Sequence, residues 1–164
     1  MKFENVEIEL LEESDSVNIY SIKKEGETYT EFEKFLLNNK NVDSTGIAII
    51  MARIEKIKEE GCFEHHFRYA GKKRDRTFSL PSHFDVGKLR VYCIVLSKQI
   101  IILGNGGVKT TRTYNEDPWL NKCAEDMKET DFSIKKNEKL KRIKIASKTI
   151  SGKLTLKIKS HESE

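Results

Sequence analysis

Two short runs constrain this chain more than any other feature: Val91–Leu96 and Ile100–Leu103. Both are apolar without alternation, and only Ser97, Lys98 and Gln99 separate them. A strand apolar on both faces must be covered on both. The two runs therefore predict adjacent central strands, turned at 97–99, in a sheet with packing above and below. At 164 residues, the chain is long enough for one domain that buries roughly 70% of its unfolded surface.

Around this pair the periodicities divide the chain. Val6, Ile8 and Leu10 alternate with Glu7 and Glu9, a half-buried strand, with Val17–Lys24 as its hairpin partner. Thr30 and Glu33 have capping-box spacing and open a helix carrying Phe32, Phe35 and Leu36. Asp43 or Ser44 caps a second helix with the stripe Ile47, Ile50/Met51, Ile54 and Ile57, and Gly61 stops it. Phe67–Ala70, Thr77–Leu80 and Lys88–Leu96 read as strands. Gly104-Asn105-Gly106-Gly107 interrupts the last central strand as a bulge or turn, and alternation resumes over Val108–Tyr114. Asp117 caps a third helix with Pro118 at its first position; Leu120, Cys123, Ala124 and Met127 form its apolar face. Ile143/Ile145 and Leu154–Ile158 predict a tail hairpin turned at Ser151-Gly152.

Charge is distributed unevenly. The whole chain is +4, but residues 1–44 hold five basic and eleven acidic residues, net −6. Residues 135–159 hold ten basic residues and one acid, net +9. A basic body implies an anionic partner. The tail's Arg142, Lys144, Lys153, Lys157 and Lys159 fit a nucleic-acid-facing hairpin, and equally a solvated edge guarded by lysine.

Several classes lack their motifs. There is no G-x-S-x-G, H-E-x-x-H or P-loop, and Gly104–Gly107 is not a dinucleotide fingerprint. Cys62, Cys93 and Cys123 are odd in number and widely spaced, against a disulfide framework or a zinc site. No run approaches a membrane span of about 18–20 apolar residues. Residues 1–11 are charged and alternating, unlike a signal peptide. The expectation is a cytoplasmic protein needing no metal or cofactor.

Cations and tyrosines crowd one stretch: Arg68-Tyr69, Lys72-Lys73-Arg74-Asp75-Arg76, Lys88, Arg90-Val91-Tyr92, and Lys109, Arg112 and Tyr114. Arg and Lys beside a scissile phosphate hold it and offset transition-state charge. RNA supplies its own 2′-OH as nucleophile, so no metal is required. Against this, 72–76 also fits a charged turn, and Arg90 a half-buried structural arginine. His65, His66 and His83 are further proton carriers near neutral pH.

K-L-R-V-Y-C-I-V-L (88–96) followed by I-I-I-L-G-N-G-G-V-K-T-T-R-T-Y (100–114), after two helices and a basic segment, resembles the RelE/HigB-type toxins, in particular their phage-derived branch. The likeness covers roughly residues 30–130. It implies an α+β fold: two N-terminal helices on a small antiparallel sheet with a closing helix, RelE/ParE-like, over residues 29–132. Residues 1–28 and 133–164 are then acidic and basic β-hairpin extensions. It implies metal-free endoribonuclease cleavage of mRNA on the ribosome, within a type II toxin–antitoxin system, restrained by an antitoxin of helix-turn-helix type. Arg90 matches the arginine of the family's L-R-x-Y strand, a phosphate or transition-state ligand. Lys109 or Arg112 matches the basic residue after the last central strand, and Tyr114 a tyrosine near the nucleophile. Lys72, Lys73, Arg74, Arg76 and Lys88 are the matching RNA-binding segment. The acidic head, the basic tail and the N-E-D-P-W-L entry to the third helix depart from the family pattern. Two rival readings use the same residues: a non-catalytic module binding RNA, ribosome, gyrase or a protein, and an interaction protein whose acidic head covers its own basic face.

Overall fold

The computed structural model describes residues 2–70 and 75–160. β1 (Phe3–Glu13) and β2 (Asn18–Lys24) form a hairpin, followed by α1 (Glu31–Asn39) and α2 (Ser44–Glu60). Then come β3 (Arg68–Tyr69), β4 (Thr77–Leu80), β5 (Leu89–Ser97) and β6 (Ile100–Val108). α3 (Pro118–Lys139), β7 (Ile143–Ala146), β8 (Thr149–Gly152) and β9 (Thr155–Lys159) complete the order. Seven strands form one sheet in the order β3-β4-β5-β6-β2-β1-β9, and β7 and β8 pair separately. β2 runs parallel to β6, from Asn18 opposite Ile100 to Ser21 opposite Leu103; the sheet's other pairings are antiparallel.

The doubly apolar runs are central and covered twice, as expected. Ile101 and Leu103 of β6 pack with Phe35, Ile50, Ile54 and Ile57 of α1 and α2. Ile100 and Ile102 pack with Leu120, Ala124, Met127 and Ile134 of α3 and with Ile143 and Ile150 of the small hairpin. Local signals set the helix ends. Thr30 and Glu33 close a capping box, Asp43 accepts from the Gly46 amide, and α2 ends at Gly61 with φ 109°. Asp117 accepts from the amides of Trp119 and Leu120, with Pro118 opening α3. α3 continues past residue 132, the expected boundary of the core domain, through buried polar positions satisfied within the helix. Thr130 Oγ1 donates to the Asp126 carbonyl at 2.7 Å, and Asn137 Nδ2 to the Ser133 carbonyl at 2.8 Å.

The RelE/ParE-like arrangement is not the fold. The sheet is large and mixed, and the N-terminal hairpin belongs to it rather than extending from it. The reason lies in β2, which is buried on both faces. Val17 and Ile19 meet the α1–α2 side, while Tyr20 and Ile22 meet α3. The one-sided alternation of β1 conceals this. The tail differs as well: Ile145 faces Ile150 within β7–β8, whereas β9 pairs with β1, Val6 opposite Leu156.

The glycine run does not end β6. Val91 faces Gly106 and Cys93 faces Leu103, so Gly104 and Asn105 together oppose Tyr92, a β-bulge. A Cβ on Gly104 would stand 2.5 Å from the Met127 sulfur, and one on Gly106 1.9 Å from the Arg90 carbonyl oxygen. Glycine there lets α3 and β5 close onto β6. Regular pairing stops at Val108 instead, and residues 109–117 form a loop with a 3₁₀ turn at Tyr114–Glu116.

Candidate anion-binding cleft

The loop after β6 doubles back over the sheet because its polar side chains bond along it. Thr111 Oγ1 donates to the Thr113 carbonyl at 2.6 Å, and Thr113 Oγ1 contacts Asn115 Oδ1 at 2.6 Å. The Asp117 cap fixes its far end, and Trp119 Nε1 donates to the Gly106 carbonyl at 2.9 Å. Lys109, Arg112 and Tyr114 thereby meet Arg90 and Tyr92 of β5 and Arg68 and Tyr69 of β3 around a cleft of about 440 Å³. Among the described residues, four cations and three tyrosines line it, and no carboxylate does.

Arg90 is half-buried; its Nη1 donates to the carbonyls of Gly87 (2.9 Å) and Leu89 (3.0 Å). Burial, then the charge of Arg68, pulls its guanidinium below the ordinary value, yet an arginine stays charged. Arg68 donates from Nε to the Pro81 carbonyl (3.0 Å) and from Nη2 to that of Ser82 (3.2 Å). Among the described residues, no carboxylate forms an ion pair with Arg68, Arg90, Lys109 or Arg112. Tyr92 is buried, which pushes its phenol above the usual range. Its ring lies 5.7 Å from that of Tyr114, and Lys128 of α3 donates to the Tyr114 oxygen at 2.5 Å.

All four residues expected at a catalytic centre thus line one cleft, although Lys109, Arg112 and Tyr114 arrive on a loop and not on the extended strand their alternation predicted. Of the expected RNA-binding residues, Arg76 and Lys88 do not line this cleft. Arg76 donates to Asp131 Oδ1 from Nε (2.9 Å) and Nη2 (2.5 Å), tying the residue before β4 to α3. Lys88 is exposed and does not line the cleft; Lys72, Lys73 and Arg74 lie outside the described residues. Arg68 belonged to the cation cluster but had no assigned role, and Lys128 gave no signal, being remote from that cluster in sequence.

His65, His66 and His83 also stay outside the cleft. Arg53 Nη1 lies 3.1 Å from His66 Nδ1, while its Nε and Nη2 donate to Asp85 at 3.0 and 2.9 Å. Arginine only donates, so His66 Nδ1 carries the lone pair and the proton sits on Nε2, 2.9 Å from Glu60 Oε1. Glu60, His65 and His66 cluster closely enough for a metal. The tautomer set by Arg53 withholds the nitrogen that a cation would need.

Arg68 and Tyr69 also form one wall of a neighbouring shelf that includes Phe63, His65, His83 and Phe84, the last 71% exposed. Cations and aromatic faces are therefore contiguous across β3. No family model, curated protein or solved structure matches the chain. Among the described residues, no helix is long and apolar enough to cross a membrane.

Proposed function

We propose that the protein binds single-stranded RNA, seating a backbone phosphate in the cleft. One observation carries this reading: Arg68, Arg90, Lys109 and Arg112 converge, and among the described residues no carboxylate lines the cleft with them. A half-buried arginine without an anionic partner is unfavourable until an anion arrives. The shelf of Phe63, His65 and Phe84 beside it offers stacking faces to the next bases, the combination that single-strand binders use.

A second reading adds chemistry to the same cleft. Tyr114, engaged by Lys128, stands among the phosphate-holding cations, and a proton acceptor there would serve an attacking 2′-OH. That is the metal-free, toxin-type mRNA cleavage the sequence resemblance implies, with an antitoxin as partner. It rests on the cleft alone, because the fold implied by the resemblance is not present.

The test is fluorescence anisotropy with a labelled decanucleotide RNA, plus a gel of the same mixture in chelator. Wild type is expected to bind, and Arg90→Ala with Arg112→Ala to weaken binding at least tenfold. Equal affinity in the folded double variant would remove the reading. RNA shortened by wild type but not by Tyr114→Phe would favour cleavage over holding.

A further inference from the structure

We infer that a second, separate nucleic-acid contact lies at the opposite edge of the sheet, where α3 crosses β9 and β1. A groove of about 490 Å³ there is lined by Phe3 of β1, Phe132 and Lys136 of α3, Arg142, and Lys157 and Lys159 of β9. Lys153 adds a further cation, and Glu129 is the single carboxylate in the lining among the described residues. The two phenylalanines are 59% and 68% exposed. None of the groove's cations forms an ion pair among the described residues.

Edge protection accounts for Lys157 and Lys159, since β9 is the outermost strand and lysines discourage edge pairing. It does not account for Lys136 of α3 and Arg142 in the turn after it, which lie off β9, nor for two phenylalanines held in water. A shelf of aromatic rings among cations suits a single strand. Its phosphates meet the cations while its bases stack, and every base has a face to stack. An anionic membrane would answer the charge, and so would an acidic protein. The open rings beside the cations favour nucleic acid, and the site is independent of the cleft beside β5.

The experiment measures binding of a labelled twenty-residue oligouridylate to three folded proteins: wild type, Phe3→Ala with Phe132→Ala, and Lys136→Gln with Lys157→Gln. Arg90→Ala with Arg112→Ala is the cleft control. Each phenylalanine is expected to be worth roughly fivefold or more in affinity. Each lysine removed is expected to lower the slope of log K against log salt by about 0.7. If the groove variants bind like wild type, the inference is overturned, whatever the cleft variant does. If only the cleft variant binds like wild type, the inference stands and the function proposed above falls. Vesicles with phosphatidylserine and soluble polyglutamate are measured in parallel. Losses confined to either of these, with RNA binding intact, would assign the groove to a membrane or a protein and overturn it too.

Discussion

Removing Lys24 probes whether the N-terminal hairpin is built into the molecule. Lys24 ends β2, is buried, and donates to Asp126 Oδ2 of α3 at 2.8 Å. Burial pulls its ammonium down, but the charge and hydrogen bond of Asp126 more than reverse this, leaving it above its usual value. Lys24→Met takes the cation from Glu4, 3.2 Å away on β1, and strands the Asp126 carboxylate, which is 3% exposed, with Lys122 at 3.8 Å as its remaining cation. Breaking a buried pair on one side costs about 3–5 kcal/mol, and Lys122 brings the expectation to about 3. With a urea slope near 2 kcal/mol/M, the midpoint should fall by roughly 1.5 M. Lys24→Met with Asp126→Leu should recover at least half of that, because an apolar pair replaces a buried ionic one at little cost. Equilibrium urea unfolding followed by circular dichroism reads both. A loss of less than about 1 kcal/mol for the single variant, typical of an exposed pair, would refute the reasoning that this contact clamps β2 to α3.

Three other outcomes follow from the packing. Cys62, Cys93 and Cys123 are buried and burial raises their thiols, Cys62 to about 12, so a thiol reagent should label none in the native protein and three in urea. Gly106→Ala should destabilise strongly in the same urea assay, since its Cβ would meet the Arg90 carbonyl backbone, whereas Gly26→Ala, in open space but at φ +80°, should cost only about 1 kcal/mol. Burial, and then the charge of His65, holds the His66 imidazole below its ordinary 6.5. The unfolded chain therefore takes up this proton first, and stability should be complete above about pH 6.5 and decline as pH falls. His66→Gln should flatten the urea midpoint between pH 7 and pH 5; an unchanged slope would show that another group governs it.

Much of the fold was legible where the determining contacts are local. The caps at Thr30, Asp43 and Asp117 each satisfy amides within three residues, so the sequence marks those helix starts directly. The double burial of β5 and β6 was equally plain from their composition. What could not be read was the parallel pairing of β2 with β6, fixed by contacts such as Ser21 Oγ to the Leu103 carbonyl at 2.6 Å, 82 residues apart. Without that pairing the hairpin looked like an appendage, and a small sheet was the natural expectation. The site divides the same way. Lys109, Arg112 and Tyr114 lie close in sequence and stayed together even though a loop replaced the expected strand. Arg76 looked like its basic neighbours because its partner, Asp131, is 55 residues away on α3.

The salt dependence of RNA binding tests the cleft most directly. Four cations neutralising single-strand phosphates set a slope of log K against log salt of up to about −3, and Arg90→Ala with Arg112→Ala should make it shallower by about 1.4. Measured with a short oligonucleotide between about 50 and 200 mM salt, that change would place phosphate against these two arginines. An identical slope in wild type and the double variant, or no salt dependence in either, would contradict it.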